Sequence, residues 1–146
     1  SAAGQAGSQT LAVATPVGQL SAILPAVDRF ACALERLTLE SPRLANASID
    51  DLKQLSNALT QRLSYLLEPI SLLESDASSA TVQLRSNPPA KDDDQTSYYE
   101  IVARKGGSIE LCRYVKQSGQ PREVTAAHLT HEVVARLSQD FVDAVA

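Results

Sequence analysis

Metal-capable side chains gather at one place in the sequence, His128-Leu129-Thr130-His131-Glu132. Histidines at i and i+3 with a glutamate at i+4 can share one face of a helix, and imidazole with carboxylate is a zinc ligand set. The spacing matches neither H-E-x-x-H nor its inverse. A third ligand must come from elsewhere, and the chain holds no other His. If a helix starts after Thr130, His128 falls before it and the shared face is lost, leaving Glu132 to favour the positive end of the helix dipole. A metal-dependent hydrolase built on His128, His131 and Glu132 is therefore the least supported reading, and neither a metal nor another cofactor is expected.

A run of acids, Asp92, Asp93 and Asp94, offers hard oxygen ligands, but it lacks the alternation and the glycine of a calcium loop. On a loop that begins with Pro88 and Pro89 it reads as a solvated stretch. Nucleophilic catalysis finds no G-x-S-x-G turn, and Cys32 and Cys112 lie within apolar periodic segments, where a thiol is a small buried hydrophobe. Two such cysteines make no disulfide framework, which favours a reducing compartment and a cytoplasmic location.

The basic residues Arg104, Lys105, Arg113, Lys116 and Arg122 surround a paired glycine, Gly106-Gly107. Glycine amides beside Arg104 and Lys105 could receive a phosphate or carboxylate. The residues form no Walker loop and no dinucleotide fingerprint. Lys and Arg at strand edges also discourage edge-to-edge aggregation, and Glu100 is placed to neutralise Arg113. Anion or nucleic-acid binding through Arg104, Lys105, Gly106, Gly107, Arg113 and Lys116 is thus the alternative function.

The elements that position these groups follow from periodicity. Residues 1–10 are small, uncharged and aperiodic, so residues 1–15 are expected to be a flexible tail and residues 16–146 one domain. Between Leu20 and Leu39, apolar residues recur at steps of three and four (Leu20, Ile23, Leu24, Val27, Phe30, Ala31, Leu34, Leu37), which predicts an amphipathic helix with Pro25 in its first turn. Ser48 before Asp50 and Asp51 caps a second helix whose stripe is Ile49, Leu52, Leu55, Leu59, Leu63, Leu66 and Leu67, ended by Pro69. Together they predict a helical hairpin.

After Pro69 the apolar period shortens to two, predicting strands over 70–74, 81–85, 97–105 and 108–116. A two-residue turn at Gly106-Gly107 would set Tyr99 opposite Tyr114 and Glu100 opposite Arg113. A final helix is capped by Thr125 or, preferably, by Thr130 with Leu129 packing back on Val133 or Val134.

The expected fold is α+β: an N-terminal helical hairpin, an antiparallel β-meander of three to five strands and a C-terminal helix packed on the sheet. The net charge of -4 and the scarcity of aromatics (two Phe, four Tyr, no Trp) argue against bulk coating of nucleic acid or anionic membrane. No apolar run is long enough to suggest a membrane span. The leading functional reading is a small non-catalytic binding or scaffold domain that self-associates or takes a protein partner. It rests on the absence of a catalytic constellation and on a second hairpin face apolar enough to want cover.

Overall fold

The computed structural model describes residues 8–146, and the chain folds as an α+β domain dominated by antiparallel sheet. Residues 1–7, the first part of the expected tail, lie outside the described residues; Gln9–Thr15, also assigned to that tail, form strand β1. β1 pairs with β2 (Gly18–Leu24) through the turn Pro16-Val17. Thr15 closes that turn: its hydroxyl donates to the Gly18 carbonyl at 2.7 Å and accepts from the Gly18 amide at 3.1 Å.

The N-terminal helical hairpin is overturned. The stretch expected to be its first helix is β2, β3 (Ala26–Val27), β4 (Ala31–Leu34) and β5 (Arg36–Glu40). The apolar residues there satisfy an alternation as well as a helical period: Leu37 and Leu39 are buried, while Arg36, Thr38 and Glu40 point the other way. Asp28 supplies the local break. Its carboxylate accepts from the amides of Phe30 and Ala31 at 2.8 Å each, folding the chain back between β3 and β4.

The second helix is present as α1 (Ile49–Arg62). Ser48 accepts from the Asp51 amide while the Asp51 carboxylate accepts from the Ser48 amide, a complete capping box. Leu52, Leu55 and Leu59 are buried, as are Leu63 and Leu66 in the 3-10 turn that follows. Leu67, expected on the same stripe, takes a left-handed conformation as the chain leaves the turn and is 89% exposed.

The remaining strands are β6 (Ile70–Asp76), β7 (Thr81–Ser86), β8 (Ala90–Asp92), β9 (Gln95–Arg104), β10 (Ser108–Gln117), β11 (Glu123–Thr125) and β12 (Ala127–Thr130). The main sheet runs β1-β2-β5-β10-β9-β7-β6, with β11 beside the second half of β10 and β8 beside the first part of β9. A smaller sheet has the order β12-β4-β3. The expected meander of three to five strands is thus only part of a wider sheet that draws in the N-terminal segment.

The β9-β10 hairpin turns through three residues, Lys105 to Gly107, rather than two. The register therefore slips by one: Tyr98, not Tyr99, faces Tyr114, and Glu100 faces Cys112 rather than Arg113. The neighbours of the hairpin explain the choice. In this register Ile109 and Leu111 share a face with Ala103 and Ile101, and with Leu39 and Leu37 of β5 on the other side.

That inner face is roofed by α1 and by α2 (His131–Val145), which begins at Thr130, whose hydroxyl accepts from the Val133 amide. α1 lies against β6, β7, β9 and α2, and α2 lies against α1, β5 and β12. Phe141 and Leu137 enter one buried cluster with Leu37, Leu39, Leu52, Leu59, Ile101 and Ile109. The opposite, outer face of the sheet has no helix over it among the described residues.

Candidate functional site

Because the inner face takes the aliphatic side chains, alternation sends the polar residues of the same strands to the outer face. Arg85 of β7 stands beside Glu100 of β9, and Tyr98 beside Tyr114 of β10. Arg122, in the link leading to β11, reaches over the same surface. The carboxylate of Glu100 is only 4% exposed and accepts from both guanidiniums: from Arg85 at 2.9 and 3.2 Å, and from Arg122 at 2.8 and 3.3 Å.

Each arginine also lies over a ring, Arg85 4.6 Å from the centroid of Tyr98 and Arg122 3.8 Å from that of Tyr114, and the two rings stand 6.0 Å apart. Burial works against ionisation of Glu100, but hydrogen bonds from Arg122, Arg85 and Gln83 outweigh it and hold the carboxyl below its ordinary range. The hydrogen bond to Glu100 likewise raises Arg122 above its usual value. Two cations sharing one anion leave one positive charge in surplus.

Next to this network the ladder opens. β7 pairs with β9 from Glu100 to Arg104, and β8 pairs with it only from Gln95 to Ser97. Between them the chain leaves the sheet through Asn87, Pro88 and Pro89. The gap forms a cleft of about 340 Å³ lined by Leu72, Leu73, Pro89 and Tyr98 together with the polar residues Arg85, Thr96, Ser71, Ser86 and Asn87. Leu73 is the extra residue of a bulge between β6 and β7.

The residues singled out by sequence are dispersed. Arg104 and Lys105 are exposed at one end of the hairpin; Lys116, opposite Thr96, lies at the other end, eight residues along β9 from Arg104 and so roughly 27 Å away. The amides of Lys105, Gly106 and Gly107 donate to the carbonyls of Ala80, Leu44 and Arg104, so the turn presents no free glycine donor. Arg113 points to the inner side, where it is closed by Glu68 at 2.8 Å and by Ser97 at 3.0 Å and lies 4.5 Å from the centre of the Tyr99 ring. Glu100, expected to neutralise Arg113, serves Arg85 and Arg122 instead.

His128 lies on β12, whereas His131 is the first residue of α2 with Nε2 2.7 Å from the Asp28 carbonyl. Glu132 is exposed in the first turn. Among the described residues no group of three or more His, Cys, Asp or Glu is placed to hold a metal ion. Both cysteines are buried free thiols, and burial pushes their pKa up, disfavouring the thiolate. No helix among the described residues is long and apolar enough to cross a membrane.

Arg85 and its cleft escaped the sequence reading. The signal available was the spacing of Arg85 and Glu100 on two strands, which acquires meaning only once their register is known. Compared with protein-family models, curated proteins and solved structures, the chain finds no match.

Proposed function

We propose that the protein is a non-catalytic binding domain that self-associates through β1. The observation that carries this reading is the character of that edge strand. β1 is Gln-Thr-Leu-Ala-Val-Ala-Thr: seven residues without charge, proline or bulge, in unbroken register with β2. Among the described residues no strand pairs with its outer side. Leu11 and Val13 are 50% and 57% exposed, on the face that continues the core side of the sheet through Leu20 and Ala22.

Natural sheets guard such edges with charge, proline or bulges. The other edge does so: β6 starts after Pro69, carries Glu74 and Asp76 and contains the bulge at Leu73. β1 carries none of these devices, and its sequence suits a copy of itself. An antiparallel pair centred on Ala12 sets Leu11 of one copy beside Val13 of the other, a two-fold arrangement that buries both apolar pairs without opposing charges. The contact is one strand wide, so a weak, concentration-dependent dimer is expected.

Sedimentation velocity from low to high micromolar concentration tests this. The expected result is a rising dimer fraction for the native chain and a monomer throughout for Leu11→Lys with Val13→Lys, whose side chains lie outside the core. A native chain that stays monomeric at high micromolar concentration, or a double variant that associates equally well, overturns the reading.

A further inference from the structure

The cleft beside Arg85 has features that self-association through β1 does not use. Larger hollows, about 410 and 440 Å³, flank α1, but neither presents a cation fixed by an ion pair. In the outer-face cleft the cation is fixed three ways. Arg85 donates Nε and Nη2 to Glu100, lies over the Tyr98 ring and sits on a strand between β6 and β9. No hydrogen bond from its Nη1 is present among the described residues, and the side chain remains 32% exposed.

We propose that this cleft binds a small organic carboxylate with an apolar body. The surplus positive charge of the Arg85-Glu100-Arg122 trio favours an anion, and the free edge of the Arg85 guanidinium offers it a charge-assisted hydrogen bond. The hydroxyl of Thr96 supplies a further polar group on the wall. Leu72, Leu73, Pro89 and the Tyr98 ring receive the rest of the ligand. The volume falls in the usual range for small-molecule sites, and the arrangement of a few polar groups on apolar walls is what such sites require. Because Arg85 is held before the ligand arrives, little side-chain freedom is lost on binding.

The bulge contributes directly. The bulge leaves Leu73 outside the ladder, between Leu72, which pairs with Leu84, and Glu74, which pairs with Gln83, so its side chain is available to the cleft. Leu73, 48% exposed, is thus part of the wall of a site rather than stray surface.

The test is an NMR titration of the full chain with benzoate and hexanoate, with benzamide as the uncharged match for benzoate. The carboxylates are expected to shift the Leu73 methyl, Thr96 amide and Arg85 Nε resonances at millimolar concentration, and benzamide to do so at least about tenfold more weakly. Leu73→Trp, which fills the cleft without touching the ion pairs, should abolish the shifts, and Arg85→Gln should weaken them about tenfold or more. Leu11→Lys should leave them unchanged, separating this site from the association edge. Equal response to benzoate and benzamide, shifts confined to other surfaces, or unaltered binding by Leu73→Trp would each overturn the assignment.

Discussion

Glu100 and Arg122 meet on the outer face of the sheet at 2.8 Å, across a hairpin and a connecting loop that separate them by 22 positions in the chain. The contact ties the link before β11 to the centre of the sheet. It also closes one side of the only buried carboxylate among the described residues.

Removing that charge should therefore cost stability in a pH-dependent way. Glu100→Gln leaves two guanidiniums facing a neutral amide and is expected to destabilise by roughly 2 kcal/mol at neutral pH, less than a fully buried pair because both arginines are partly exposed. The carboxyl ionises below its ordinary value of 4.5 in the folded chain, so its contribution is complete above that pH and is lost as pH falls through the lower folded-state value. Thermal melts of both proteins should converge in acid and separate towards neutrality.

Gly18 sits against the end of β5. A Cβ there would meet the Glu40 carbonyl oxygen at 2.0 Å and the Ser41 Cα at 2.8 Å, both backbone atoms that move only if the strands part. Gly18→Ala is expected to cost about 2–4 kcal/mol. Gly106→Ala is the control: nothing lies within 4 Å, and only its positive φ of +102° resists the substitution, for about 1–2 kcal/mol. Urea unfolding of the two variants should rank them in that order.

The helix caps give a smaller, separable effect. Ser48→Ala removes the acceptor for the Asp51 amide, and Thr130→Ala the acceptor for the Val133 amide. Each is expected to lower stability by about 1 kcal/mol. The caps share no partner, so the double variant should lose close to the sum, measured by chemical denaturation.

Cys32 and Cys112 should react slowly. Both are buried, and desolvation pushes both thiol pKa values above their ordinary range, so little thiolate is accessible at mildly alkaline pH. Labelling with a chromogenic disulfide reagent is expected to be slow in buffer and rapid in denaturant. Fast labelling of either cysteine in the native state would place that thiol at the surface.

The sequence alone determined the elements whose signals are local. α1 is set by the Ser48 cap and its leucine stripe, though it ends at Arg62 rather than at Pro69; the last helix by its Thr130 cap; and the central hairpin by its paired glycines. Each depends on residues within a few positions of one another, where capping, periodicity and turn chemistry act directly.

Tertiary structure decided what local signals leave degenerate. Leu20, Leu24 and Leu37 fall on a helical stripe and equally on the alternating sets Leu20-Ala22-Leu24 and Leu37-Leu39, and the pairing of β5 with β10, whose Ile109 and Leu111 need neighbours on the same face, goes with the strand. Gly106-Gly107 permits a turn of two or three residues; the buried faces on both sides of the hairpin choose three, because a slip of one would exchange core for solvent along β10. Arg85 meets Glu100 through the β7-β9 register, and Arg122 reaches the same carboxylate from beyond β10. A binding surface assembled from three separate segments is fixed by register, and register is a property of the whole sheet.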